Sequence, residues 1–592
     1  MAFHALTIGT SALRAAQYGL QVTGQNLGNV DTAGYSRQRI NQSGVSRGRG
    51  TGGLMPGSGV SVDSVSRVVS AQAEKQLRKA SSAYTYSSEM AAAYTNLQSV
   101  FMELSGVALS DDMSSFWNSL SEMSGKAENL SHRTTLLEDA RALTDHFNNI
   151  HANLQDARKS YDGEVEGTVK DINNLLNEIA DLNAAIVSGE SGGLSPSQAN
   201  DLRDSRGEKL RALGELVDVD TMDESNGSVV VSIAGRLMVY HDQAYGLEVR
   251  KEDRSGMQVS IPAFANDKYP LKSPGGKLGA DMTVRDEILP GYMDELDDLA
   301  AVYTWEFNRA YSQTRGEKSF DGITSRNGPI DPAVALNQLR YKADYPEGTF
   351  QIVNGNLEVM VHNRNTGEIT SVPVEIDLDG RPSPSGEPDM ILWDPNDPEA
   401  SHSFINRLRT ELDKAVPGAF TVDIDSESRV SIASNNADYG FCFGKDSSGI
   451  LAALGMNTFF TGHNASDIGV NDDLSKTPEL IGTGYSFEAG DNDGVVDMLS
   501  VLENPLDRLG GRTAEDYYLG ITGRLGSEAG RNKNRYALNL DLYNRAFVQR
   551  ESISGVNEDE EVIKLITYQR AYQSAARYIS VVNEFYDALV NM

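Results

Sequence analysis

Gly189-Glu190-Ser191-Gly192-Gly193 matches the bare G-x-S-x-G pattern of a serine nucleophile. That pattern acts only on a strained turn with a strand before it and a helix after it. Here a helical pattern precedes the run and Gly, Ser and Pro follow it, so it reads as a loop. Gly440-Phe441-Cys442-Phe443-Gly444-Lys445 has the glycines and lysine of a phosphate loop. It lacks both the spacing and the Ser or Thr after the lysine. His146 and His151 are five residues apart, off one helical face, and make a poor metal pair. Asp377-Leu378-Asp379-Gly380 and Asp491-Asn492-Asp493-Gly494 open like calcium loops but lack the ligand ladder and closing glutamate. They read as acid-rich surface turns. The 84 acids permit many carboxylate pairs for glycoside hydrolysis and single out none. Cys442 is the only cysteine, so neither an internal disulfide nor a cysteine-based zinc site is possible. No catalytic, cofactor-binding or metal-binding residue is assigned.

The elements behind these runs are built for something other than chemistry. The chain has 592 residues, enough for several domains, yet only 39% are hydrophobic and 7% aromatic. That balance suits long polar-faced helices meeting along narrow apolar seams. A net charge of −32 repels phosphate backbones and anionic lipid, so neither nucleic acid nor membrane is an expected partner. One basic stretch, 35–59, carries Arg37, Arg39, Arg47 and Arg49 with no acid and seven glycines from Gly44 on. It reads as an extended loop. The first residues have neither a basic nor an apolar signal region, and no apolar run reaches the ~18 residues of a membrane span. Secretion would need a route without a cleaved signal.

Both chain ends carry heptads. Leu6, Leu13, Leu20 and Leu27 recur every seven residues, with Gly9, Ala16, Thr23 and Val30 three positions after each. Gly34 ends the pattern. Near the other end, Leu565, Tyr572, Ile579 and Tyr586 lie seven apart, each followed by Tyr568, Ala575, Val582 and Leu589. Asn557 is a good N-cap, Glu560 stands three residues on, and four acids crowd the first turn. Chain ends usually fray. Two striped ends most simply pair with each other or with neighbouring copies, so these rows are the expected assembly seam.

Between the ends, long helices are expected near 66–104 and 139–188, another near 198–216, and one over 285–312. Val229, Val231 and Ile233 alternate, and Ala234-Gly235 turns into Leu237–Tyr240 as a hairpin. A second hairpin is expected with strands 350–353 and 357–361 about an Asn354-Gly355 turn. A prolonged polar helix over 513–550 runs into the last seam. The expected class is α+β, nested and multi-domain. Residues 1–34 with 557–592 form a coiled-coil-like terminal domain, and 35–215 with 276–315 and 500–556 a helical-bundle domain. Residues 216–275 form a small β-rich domain and 316–499 a variable mixed insert.

Asn26-Leu27-Gly28-Asn29-Val30-Asp31-Thr32-Ala33-Gly34-Tyr35-Ser36-Arg37-Gln38 resembles the signature of the flagellar axial family of rod, hook and hook-associated proteins. The run Gly34–Gln38 is more similar to the hook-associated branch than to rod or hook proteins, which usually carry lysine after the tyrosine. Ser554-Gly555-Val556-Asn557 and Tyr568–Gln573 are similar to that family's C-terminal part, and Asn200–Arg206 and Arg285-Asp286-Glu287 extend the likeness. The resemblance covers about 1–315 and 465–592 and fades over 317–460. Gly28 replaces the usual alanine and Ala33 the usual proline. The resemblance implies a non-catalytic structural subunit at the junction of hook and filament, exported uncleaved to the cell exterior by the flagellar type III apparatus. It implies as partners like copies in a ring, the flagellar hook protein, hook-associated protein 3, and an export chaperone on the C-terminal helix. A hook or distal-rod protein is the alternative, and an axial protein with an enzymatic insert the more distant one.

Overall fold

The computed structural model describes residues 2–45, 57–102, 108–192, 196–254, 256–341, 352–378, 389–394, 402–486, 488 and 490–590. Arg47, Arg49, Asp379 and Gly380 lie outside these residues, as does the side chain of Leu589. Helix accounts for 57% and strand for 19%, in long helices and several small sheets, the expected α+β mixture. Among the described residues no helix is long and apolar enough to cross a membrane.

The chain divides into two compact units. The first holds both chain ends: Met1–Tyr94, Arg158–Glu287 and Ala529–Met592. Its core joins one face of the helix Leu130–Gly192, through Val165, Val169, Ile172, Leu176 and Ile179, to the helix Pro196–Leu216 and a four-stranded sheet. Val229, Val231 and Ile233 point into that core and Val230 and Ser232 away from it, as a period of two requires. Ala234 and Gly235 both adopt positive φ, the geometry of a tight two-residue hairpin turn, and Val231 pairs with Val239 across it. A second hairpin pairs Gln38–Gly44 with Val60–Arg67. Arg285, fully buried, reaches Asp162 at 2.8 Å, the Ser260 carbonyl at 2.7 Å and Asp286 at 2.7 Å. It stands in a stretch of wide helical turns, Val284–Ile288, between the helices Gly276–Thr283 and Leu289–Tyr311.

The second unit comprises Thr95–Ala157 and Ile288–Glu528. The stripe Leu289, Leu296, Ala300, Tyr303 and Phe307 is buried. Phe307 packs in edge and tilted ring pairs with Phe116, Phe459 and Phe460. Beyond it lie two three-stranded sheets and the helix Phe404–Ala415, sharing a core that includes Val359, Leu392, Phe404, Val430 and Phe443.

The expected hairpin about Asn354-Gly355 is corrected here. Gly355–Asn363 is one strand, paired with Ile369–Ile376, and the chain reverses at Gly367, which takes φ +74°. Gly355 instead marks a close approach: a Cβ there would stand 2.6 Å from Ser447 Oγ and 2.9 Å from the Ser447 carbonyl carbon. Asn354 bonds the Leu378 amide. The Asn-Gly pair therefore starts a strand beside another backbone, a contact with no local signature.

Candidate assembly site at the converging chain ends

The N-terminal helix Ala2–Gly28 packs along the C-terminal helix Glu558–Val590. Its buried residues are small: Gly9, Ala15, Ala16, Gly19, Val22, Thr23 and Asn26. Leu6, Leu13, Leu20 and Leu27 are half-buried and flank this row. The glycines explain the phase. A Cβ on Gly19 would stand 2.5 Å from the Tyr568 ring, and one on Gly9 2.8 Å from Ile579. Large side chains of one helix lie over small ones of the other, so the backbones approach closely. Val30 lies past the helix end and is exposed.

On the C-terminal helix, Ala575 and Val582 are buried, and Leu565, Tyr568, Ile579 and Tyr586 are half-buried. Tyr572, at the same helical phase, is exposed. A second apolar row is open to solvent: Ile563 is 64% exposed, Phe585 68%, and Ile566, Tyr578 and Val581 also lie open. Asn557 Oδ1 accepts from the Glu560 amide at 3.0 Å, capping the helix start.

The signature residues knit the two ends together. Asn26 Nδ2 donates to Glu561 Oε2 and to the Gln38 carbonyl, both at 2.9 Å. Its Oδ1 accepts from the Tyr35 hydroxyl and the Gln38 amide, again at 2.9 Å. All these groups are buried, so the set is satisfied within itself. Burial raises the Tyr35 pKa, and the carboxylates of Asp204, Asp201 and Glu561 raise it further, which keeps the phenol protonated as a donor. Asn29 turns back to the Gln25 carbonyl at 2.9 Å and holds Thr32 at 3.2 Å. Gly34 takes φ +83°, where a side chain would be strained. The Arg37 amide donates to the Ser554 carbonyl at 2.8 Å, and its guanidinium reaches Glu560 at 2.9 Å. Ser554 is buried, and the Gly555 amide closes the preceding helix on the Glu551 carbonyl. Val556 is half-buried.

Sequence reasoning did not single out Arg550, which anchors this junction. It is 2% exposed and donates to Glu74 at 3.1 Å, the Gly34 carbonyl at 3.2 Å and Ser36 Oγ at 3.4 Å. Its only signal was a lone arginine near the end of a polar helix. Asn200 and Asp204, quoted above only as a likeness, brace the same loop: Asn200 reaches the Val65 carbonyl at 3.1 Å, and Asp204 accepts from the Ser36 amide at 3.3 Å.

The runs weighed for chemistry fall elsewhere. Gly189–Gly192 is helical, and Gly440–Lys445 lies within the strand Tyr439–Asp446. Asp491 spends its carboxylate on the amides of Tyr485, Ser486 and Asp493. Among the described residues no group of His, Cys, Asp or Glu is placed to hold a metal ion.

The helical-domain profile of flagellar hook-associated protein FlgK matches residues 94–318, and the C-terminal profile of flagellar basal body rod FlgEFG proteins matches 549–592. Flagellar hook-associated protein 1 of Escherichia coli is 26% identical over 98% of each chain, and that of Bacillus subtilis 26% over 100% of this chain and 98% of its own. These matches liken the chain, along its whole length, to flagellar hook-associated protein 1. The solved flagellar hook junction protein FlgK from Burkholderia pseudomallei is 13% identical with a TM-score of 0.46, over 82% of this chain and all of that one. The rod-type profile spans the end of the penultimate helix and the whole C-terminal helix, including Arg550, Ser554–Asn557 and Glu561.

Proposed function

We propose that this chain is a structural subunit of the bacterial flagellum that joins hook to filament, polymerising through its terminal helices outside the cell. The observation that carries this reading is the second apolar row of the C-terminal helix. Residues Ile563, Ile566, Tyr578, Val581 and Phe585 stay exposed after the helix has paired with the N-terminal one. Each such side chain contributes ~1.5–3 kcal/mol when fully buried, so a neighbouring copy that covered the row would be held firmly. The relatives are named as flagellar hook-associated proteins, which points to assembly with other flagellar parts rather than to catalysis. The partners of this reading are like copies in a ring, the flagellar hook protein, hook-associated protein 3, and an export chaperone that covers the C-terminal helix before secretion.

Removal of residues 558–592 tests the proposal. The truncated chain should leave hooks without filaments in electron micrographs, while its second unit keeps its thermal transition. Filaments still joined to hooks through the truncated chain would overturn it.

A further inference from the structure

Within the first unit, the strand Val60–Arg67, the first turns of the helix Ala71–Met102, the helix Pro196–Leu216 and the strand Val219–Asp223 enclose a concave pocket of about 620 Å³. Seven cationic side chains and three carboxylates line it, in a chain whose net charge is −32. Three of the cations are matched: Arg67 by Asp204 at 2.9 Å, Arg550 by Glu74 at 3.1 Å, and Lys75 by Asp220 at 3.1 Å. Among the described residues, Arg78 and Arg211 have no carboxylate within ion-pair distance. Arg78 is 8% exposed; one terminal nitrogen donates to Thr221 Oγ1 at 2.7 Å, and its buried Nε has no acceptor. Arg211 is half-buried and, among the described residues, donates only to the Gly207 carbonyl of its own helix, at 3.2 Å. Burial pulls the Arg78 pKa down and neighbouring Arg211 adds to that, while the more distant carboxylates of Glu74, Asp223 and Asp220 offset it only in part; a buried cation without a paired carboxylate in contact is costly. An external carboxylate would offset that cost and find a cationic wall already in place.

We infer that this pocket receives carboxylates from a second copy of this chain. Charge favours that occupant. Copies this acidic repel one another when packed closely, and the pocket is a concave surface of opposite sign. Every copy also offers suitable donors. Glu558 and Asp559, at the start of the C-terminal helix, are exposed and form no ion pair among the described residues. Glu558 and Asp559 are not among the residues lining the pocket, so one copy is able to receive carboxylates from one neighbour and give them to another, the head-to-tail contact that builds rings or helical filaments. The inference rests on the polymerisation proposed above.

Lys75 lines the pocket and is open to solvent, which allows a direct test. Two differently tagged copies of the full chain are expressed together in cells lacking the native gene. Isolated flagella are treated with a carbodiimide, which condenses an amine with a carboxylate it already touches. Dimers bearing both tags should yield a Lys75 peptide linked to an acidic peptide, enriched over the monomer band and absent from K75Q. The pair Arg78→Glu and Arg211→Glu should lower the amount of chain in flagella by at least about tenfold, equivalent to ~1.4 kcal/mol. Circular dichroism of the purified variant checks its fold, and the milder Arg211→Gln alone should show a smaller loss. Two-tag flagella without a Lys75 link specific to dimers, or an Arg78→Glu, Arg211→Glu chain incorporated as wild type, overturn this inference and leave the junction role standing. Absence of the wild-type chain from flagella removes both.

Discussion

The terminal helices and the sheet-bearing module of the second unit solve opposite problems with similar residues. In the module, Val359, Leu392, Phe404, Val430 and Phe443 are all fully buried against one another. On the 33-residue C-terminal helix, among the side chains described, only Ala575, Val582 and Glu561 are buried, while seven large apolar ones lie exposed. The penultimate helix goes further: no residue from 529 to 549 is buried, and Leu538, Leu542, Phe547 and Val548 face solvent. Apolar surface left uncovered over such lengths is unusual for an isolated molecule and marks interaction surface. The difference teaches where the stability of each region comes from. The module closes its own core, whereas the terminal pair is held by close backbone approach and a few satisfied polar groups.

Four measurements would break or sharpen that contrast. The largest effect is expected from Phe404→Ala in the module, ~3–5 kcal/mol of stability lost from that unit by calorimetry, with incorporation into flagella reduced only through the fraction unfolded. A change in assembly without a change in melting would break the contrast.

Next comes pH. Burial raises the pKa of Asp281 in the first unit to about 7, with Glu164 adding to the shift. Burial likewise raises that of Asp297 in the second to about 7, against the Ala465 amide and with Asp294 and Asp298 adding. In the unfolded chain both ionise near 3.8. Between these values the folded state holds the extra proton, so stability is greatest at acid pH and falls as pH rises from about 4 to 7. Each group contributes up to ~4 kcal/mol to that fall. Asp281→Asn should flatten the pH profile of the first unit and Asp297→Asn that of the second, read by hydrogen exchange. A profile unchanged by either would show that the carboxylates are better solvated than their burial suggests.

Gly19→Leu is the third test. Its side chain would collide with Tyr568, costing ~1–3 kcal/mol and loosening the terminal pair in hydrogen exchange, while the module keeps its protection. Combining it with Tyr568→Ala should restore part of the loss. The smallest effect belongs to Arg37→Ala. Its partner Glu560 is exposed, so the pair is worth under ~1 kcal/mol and should weaken further with salt.

Much of the architecture was legible in periodicity. The stripe from Leu289 to Phe307, the alternation Val229–Ile233 and its Ala234-Gly235 turn depend on neighbours in sequence, and they stand where the pattern puts them. The Asn354-Gly355 pair did not signal its role, because its glycine answers to Ser447, which is remote in sequence. The terminal helices fall between. Spacing marked a striped helix at each end, but the leucines stand beside the buried row because Gly9 and Gly19 admit the larger side chains of the partner helix.

Heptads and the signature runs were enough, by themselves, to determine helical chain ends and the family resemblance, since each is local and additive along the chain. Only the tertiary structure decided which face of each terminal helix is used and which is left open. It alone placed Asn26 against Glu561 and Arg550 under Gly34, and gathered unmatched arginines into one pocket. Those facts depend on which distant residues share a burial site. Burial, by removing water, sets the worth of every hydrogen bond and charge within it.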